Sequence, residues 1–248
     1  MYMLHKDPDL ILQETSHRPY PPPDKPWAFY QEWKKVLFLH WAVNPDELLK
    51  HIPAGLELEL VNGKAYISIV AFLSLRSHPH FLPAIEAISD FTEINVRTYV
   101  TDGKKNGIHF IYMETDKLVP TLFSKLLAQL PYEQGHVEYL ENGGQKEYNW
   151  KSNKENYITS ANFTTGKIIE NKSVMDAWLT ERYSNYEEIA GGLYRYPVHH
   201  QSWPLQEINI NSLKVDYTLG KIHLTENNLE GYHYSDGVNV LGWFMEKM

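Results

Sequence analysis

Tight-turn signals cut this chain into short segments rich in β-branched and aromatic residues, and that punctuation limits the fold more than any other feature. Asn62-Gly63 separates Leu56–Val61 from Lys64–Leu73. An Asn-Gly pair accepts positive φ at both central positions, so it closes a two-residue type I′ hairpin. A longer loop, Asp102–Gly107, separates Phe91–Thr101 from Ile108–Glu114, and Glu141–Gly144 separates Gly135–Leu140 from Gln145–Trp150. Trp33–Val43, Asn156–Thr164, Gln206–Ile210, Leu213–Leu219 and Leu229–Tyr234 have the same strand-forming composition. Strands joined in succession by short turns pair antiparallel, because a parallel pair needs a long crossover.

Three helical segments interrupt the strands. Asn44-Pro45-Asp46-Glu47 supplies an N-cap, a proline at the first helical position and first-turn acids, and Pro53 and Gly55 end the segment. Leu118–Gln129 places Leu118, Leu122, Phe123 and Leu126 on one arc. Ser173-Val174-Met175-Asp176 resembles a capping box and predicts a helix running to about Tyr186. Strands in succession with few helices give an α+β fold, mostly antiparallel β. A curved sheet or barrel would accommodate so many strands without long open edges. Residues 1–26 stand apart: Pro19-Tyr20-Pro21-Pro22-Pro23-Asp24-Lys25-Pro26 is extended polyproline, read as an arm leading into the fold, with a ligand for a proline-reading domain as the alternative. From Trp27 onward no second linker is visible, so residues 27–248 are expected to form a single domain.

Composition narrows the function. The 248 residues carry 23 basic and 31 acidic side chains, a formal charge of −8, and the pI is near 5.8. Nothing supplies the basic field that a nucleic-acid binder needs. The absence of cysteine removes disulfides, thiolate metal sites and cysteine nucleophiles. No apolar run approaches the ~18 residues of a membrane helix, and Met1–Asp7 opens no apolar signal segment, so a soluble cytoplasmic domain is expected. Oligomeric state is left open, a homo-oligomer included.

Nucleophile elbows, phosphate-binding glycine loops, dinucleotide fingerprints and H-E-x-x-H are all missing from the sequence. His78-Pro79-His80 lacks a carboxylate at ligand spacing, and the sequence implies neither metal nor cofactor. The informative stretch is Phe91–Val100. Strand alternation puts Glu93, Asn95, Arg97 and Tyr99 on one face and Ile94, Val96, Thr98 and Val100 on the other. The polar face reads either as a solvated surface on which Glu93 and Arg97 neutralise each other, or as a strip lining a cavity. In the second reading Arg97 offers a planar fork to a carboxylate, and Glu93 or Tyr99 handles a proton. A second cluster, Tyr194-Arg195-Tyr196-Pro197-Val198-His199-His200-Gln201-Ser202-Trp203, mixes aromatic and polar groups as small-molecule pockets do; a proline-punctuated loop covering the core edge would look the same.

Several blocks resemble a known family. Trp33–Trp41, Ile52–Glu57, Phe91–Val100, Leu130-Pro131-Tyr132, Thr180-Glu181-Arg182-Tyr183, His200–Leu205 and His233–Val238 are similar to blocks of the YqjF-like domain of unknown function. That family belongs to the acetoacetate-decarboxylase-like group, so the resemblance implies a cone-like antiparallel barrel enclosing a small cavity. The decarboxylase uses a Schiff-base lysine with a depressed pKa. The step that precedes its lysine pair matches Leu130-Pro131, and Tyr132-Glu133-Gln134 follow, so both lysines are missing; its arginine falls near Ala42. Glu93 is the residue that carries over. Lys125, at the edge of an apolar arc, and Lys214, on the polar side of a strand, read as surface residues.

The expected function is therefore binding of a small organic ligand, carboxylate-bearing, in a barrel cavity. Glu93 and His200 are the candidate proton-transfer groups. Asn95, Arg97, Tyr99, Tyr194, Arg195 and Trp203 are the candidate ligand contacts. A lysine-independent lyase or isomerase, a non-catalytic sensor or carrier, and an interaction module using the proline arm stay open as alternatives.

Overall fold

The turn at Asn62-Gly63 precedes a long strand, and the Asp102–Gly107 and Glu141–Gly144 signals each join two paired strands. The computed structural model describes residues 7–117, 130, 132–153 and 157–248. In chain order the strands are β1 (Phe29–Val43), β2 (Glu57–Leu58), β3 (Ala65–Pro79), β4 (Phe91–Thr101) and β5 (Asn106–Thr115). Then come β6 (Tyr132–Gln134), β7 (His136–Asn142), β8 (Gln145–Lys151), β9 (Ile158–Ile168) and β10 (Ser184–Ile189). The last are β11 (Gly192–His200), β12 (Leu205–Leu219), β13 (Ile222–Thr225), β14 (Gly231–Gly242) and β15 (Glu246–Lys247). Among the described residues there are four short α-helices: α1 (Pro8–Gln13) before β1, then α2 (Pro45–Leu48), α3 (Glu86–Ser89) and α4 (Val174–Thr180) between strands.

The pairing is mainly antiparallel and closes on itself. Strands follow the order β11-β10-β5-β4-β3-β1-β14, and β14 returns to β11 through Val198↔Gly242 and His200↔Val240. That return makes a ring. From β14 the sheet continues through β12, β9, β8 and β7 as a wing. The large core lies between ring and wing, with Trp41, Ile67, Val96, Trp150, Phe163 and Tyr234 almost fully buried. A smaller apolar cluster, including Phe38, Val70, Phe72 and Trp203, lies on another side of β1 and β3.

One irregularity decides what faces the ring interior. Lys35 has φ of 56°, and the β1–β3 register slips between Lys34 and Leu37. Such a bulge reverses the alternation, since side chains change face every residue. Before it Phe29, Gln31 and Trp33 face inward; after it Val36 and Phe38 do.

The structure departs from the sequence expectations in several places: Gln206–Ile210 and Leu213–Leu219 are one strand, β12, and the strand expected to end at Tyr234 runs on to Gly242. The helix opened by the Ser173–Asp176 capping box stops at Thr180, not Tyr186, and Ser184–Ile189 is strand β10. Ser184–Ile189 is drawn off by pairing with Gly192–Pro197, across a turn in which Ala190 and Gly191 both have positive φ. Tyr194–His200 is accordingly strand rather than loop. The expected helix over Leu118–Gln129, including Lys125, lies outside the described residues. Lys214 is exposed, as its strand side suggests.

The N-terminal residues pack on the outside of β11. Ile11 is fully buried with Tyr30, Leu241 and Trp243. Arg18 Nη1 donates to Val198 O at 2.9 Å, and the Tyr20 hydroxyl donates to Asn106 O at 2.9 Å. No helix among the described residues is long and apolar enough to cross a membrane.

Candidate functional site: a cavity in the strand ring

The ring encloses a cavity of about 560 Å³. Its walls come from alternate residues of β1, β3, β4, β5, β11 and β14, and the segment Thr180–Asn185 crosses its inner end. Strand β4 contributes Phe91, Glu93, Asn95 and Arg97. Both faces of β4 are buried, so its polar face is not a solvated surface.

Glu93 is 4 % exposed. Its Oε2 accepts from the Tyr132 hydroxyl at 2.6 Å and its Oε1 from Asn95 Nδ2 at 3.1 Å. Burial pushes its pKa up to about 7; those two hydrogen bonds and the Arg97 charge offset only part of the desolvation. Tyr132 holds its proton far more tightly than a free phenol, because burial and the adjacent Glu93 both oppose the phenolate. The residues after Leu130-Pro131, where the resemblance would put lysines, thus supply a hydroxyl to Glu93. Among the described residues lining the cavity there is no lysine.

Two guanidinium groups meet at the inner end. Arg97 stands 5.4 Å from the Phe38 ring centre, and its Nη2 reaches Leu179 O at 3.5 Å, while burial depresses its pKa. Arg182 is ion-paired through Nη1 with Glu59, donates from Nε to Trp178 O at 2.8 Å, and lies over the Tyr99 and Trp178 rings. Neither group is fully used. Arg97 Nε and Arg182 Nη2 are buried with no hydrogen-bond partner among the described residues, as are the acceptors Asn95 Oδ1 and Asn185 Oδ1. A buried polar atom left unpaired costs ~1–3 kcal/mol. All four residues line the same cavity.

The other sequence candidates are distributed differently. His200 and Trp203 are on the wall. Both His200 ring nitrogens face main-chain carbonyls, Gln201 O at 2.7 Å and Arg182 O at 3.3 Å, and burial lowers its pKa to about 4. Its one N–H is therefore spent on a carbonyl at neutral pH. Trp203 donates from Nε1 to Thr180 O at 3.0 Å and stacks on Trp33. Tyr99 lies beyond the cavity, its hydroxyl donating to Leu179 O at 2.9 Å beneath the arginines. Tyr194 and Arg195 are not on the wall; Arg195 pairs with Glu246 instead.

Sequence reading missed Arg182, Asn185 and Tyr132. Arg182 falls in the Thr180–Tyr183 block, but a helix continued to Tyr186 treats it as a helix-surface arginine.

A closed, mainly antiparallel ring with a wing and a central cavity defines the class: the chain has an acetoacetate-decarboxylase-like fold. The enduracididine biosynthesis enzyme MppR, in its complex with pyruvate, superposes with a TM-score of 0.62 at 13% identity over 94% of this chain and 93% of that one. Acetoacetate decarboxylase from Legionella pneumophila gives 0.61 at 13% identity over 96% and 95%. At the sequence level, residues 30–239 match the DUF2071 family, described as an uncharacterized conserved protein. The uncharacterized protein YqjF of Bacillus subtilis (strain 168) is 33% identical over 232 residues, 91% of this chain and 94% of YqjF. The chain belongs to this YqjF-like family.

Proposed function

We propose that the ring cavity binds a carboxylate-bearing organic molecule in the cytoplasm, with Arg97 and Arg182 holding the anion and Glu93 exchanging a proton with it. The observation that carries this reading is the pair of buried, unpartnered donors Arg97 Nε and Arg182 Nη2. A carboxylate accepting from both would satisfy them with charge-assisted hydrogen bonds, roughly twice as strong as neutral ones. Glu93, with a pKa near 7, is suited to take or return a proton at neutral pH. A fold relative, the enduracididine biosynthesis enzyme MppR, is complexed with pyruvate, itself a carboxylate, and that supports an anion of this kind. Chemistry through a lysine imine is not proposed, because no described wall residue offers an amine.

A second reading is a sensor or carrier without turnover. It is favoured by His200, whose nitrogens are committed to carbonyls and leave Glu93 without a partner acid.

The test is a thermal-shift screen of keto acids, hydroxy acids and neutral aromatics on wild type and Arg97→Ala. Ligand at ~100 times its Kd adds ~2.7 kcal/mol, a shift of several degrees for a domain of this size. A carboxylate that shifts wild type and not the variant supports the reading; equal shifts for both remove Arg97 from the site. Turnover lost in Glu93→Gln with binding retained marks an enzyme, and saturable binding without turnover marks the sensor.

A further inference from the structure

The strand register gives the cavity a direction. Along β3 and β4, Arg97 stands opposite Ser68, Asn95 opposite Val70, Glu93 opposite Phe72 and Phe91 opposite Ser74. Along β1, Phe38 stands opposite Val70, and Phe29 opposite Pro79 and Gly242. Arg97 is therefore at the inner end, and Phe29, Pro79 and the residues after Gly242 form the outer end. From Arg97 to Phe91 is six positions, ~20 Å at strand spacing.

The two ends differ chemically. At the inner end four buried polar atoms have no hydrogen-bond partner among the described residues. Toward the outer end the polar wall residues Gln31, Ser77 and His78 each have a hydrogen-bond partner within the protein. Gln31 Oε1 accepts from Trp33 Nε1 at 2.9 Å, Ser77 bonds Ser74 at 2.8 Å, and His78 Nδ1 lies 2.9 Å from Pro79 O. Between them the wall carries Phe72, Phe91, Val240 and Trp243, with Glu93 opposite Phe72 holding its hydrogen bonds to Tyr132 and Asn95, and the rim carries Leu82, Ile85 and Phe244, exposed by 60%, 57% and 70%. A cavity of about 560 Å³ is within the ~300–1,000 Å³ typical of sites for drug-sized ligands.

Resting on the carboxylate reading above, we infer that the ligand is a monocarboxylate with one long apolar tail, its head at Arg97 and Arg182 and its tail extending past Phe72 and Phe91 to the Leu82–Phe244 rim. A short keto acid would leave most of the volume unfilled. A second charged group would sit against apolar wall with no partner to receive it, and burying an unpaired charge is costly.

The test is calorimetric titration of the full chain with acetate, butyrate, octanoate, dodecanoate and octanedioate. Each methylene added between butyrate and octanoate should tighten binding by up to about fourfold, the equivalent of ~0.8 kcal/mol per buried CH₂. Octanedioate should bind at least ~10-fold more weakly than octanoate, since its distal charge loses water without a partner. Phe244→Asp, a change at an exposed rim position, should weaken dodecanoate several-fold and leave butyrate unchanged. Equal affinity for butyrate and octanoate, or for octanoate and octanedioate, overturns the apolar-tail inference while leaving the carboxylate reading intact. No binding of any of the acids, with titrations silent at two well-separated temperatures and no thermal shift, overturns both.

Discussion

At the residue scale the site turns on one buried carboxyl. Glu93 has a pKa raised to about 7, so below that pH it is neutral and above it an anion facing the cavity. An incoming carboxylate is repelled by the ionised form and not by the neutral one. Affinity for an anionic ligand should therefore rise as pH falls through about 7, by up to tenfold per pH unit on the alkaline side, and level off below. Titrations between about pH 6 and pH 8.5 should show that slope in wild type and a flat profile in Glu93→Gln. The same shift has a stability consequence. A carboxyl whose folded pKa lies above its unfolded value keeps its proton in the folded state between roughly pH 4.5 and 7, so stability falls as pH rises across that window. Glu93→Gln should escape the loss, gaining roughly 3 kcal/mol on wild type between pH 5 and pH 8 in urea melts. The glutamine can keep both partners, because Asn95 has an unused Oδ1 to turn toward its amide. The alternation of Phe91–Val100 was enough to bring Glu93, Asn95 and Arg97 together. Arg182 was hidden, because its position depends on a helix ending at Thr180, and the β10–β11 hairpin decides that ending.

At the element scale, β1 shows why alternation alone gives an incomplete inventory of the wall. Strict period two from Trp33 would point Val36 and Phe38 away from the cavity; the bulge at Lys35 turns them into it. Its partner strand is fitted to that bulge at Gly237, which pairs with Lys34 at φ of 127°. A Cβ there would come 2.0 Å from Trp33 O, a main-chain atom that cannot swing aside. Gly237→Ala should cost ~3 kcal/mol or more in chemical denaturation and should disturb Trp33 fluorescence; a neutral substitution would mean that the bulge is not held as described. A single sequence gives no sign of either feature. The N-terminal arm acts at this scale too. Ile11, in α1, is buried against Tyr30, Leu241 and Trp243, and His199 Nε2, on the strand that carries His200, lies 2.8 Å from Ile11 O. Ile11→Ala should lose about 2–4 kcal/mol by cavity formation, read as a fall in Tm. An unchanged Tm would show that the arm is detached in solution.

At the scale of the whole molecule, turn spacing and strand composition were enough for an antiparallel, curved sheet, since each hairpin is a local event. A barrel was also expected, but not the strands that close it: closure rests on contacts such as His200↔Val240, and neither residue fell in a segment read from the sequence as strand. Closure also makes the cavity: it sets β11 and β14 opposite β3 and β4 and encloses two arginines that a flat sheet would leave in water. In the function proposed above those arginines hold an anion, and the Arg97 Nε–H itself reports whether they do. With ¹⁵N-labelled arginine, the side-chain Nε–H resonances can be followed as octanoate is added, and Arg97→Lys identifies the Arg97 signal by its loss. This resonance should move saturably with ligand, on the same curve as calorimetric binding. Octanoate binding with the Arg97 signal unmoved would contradict that function.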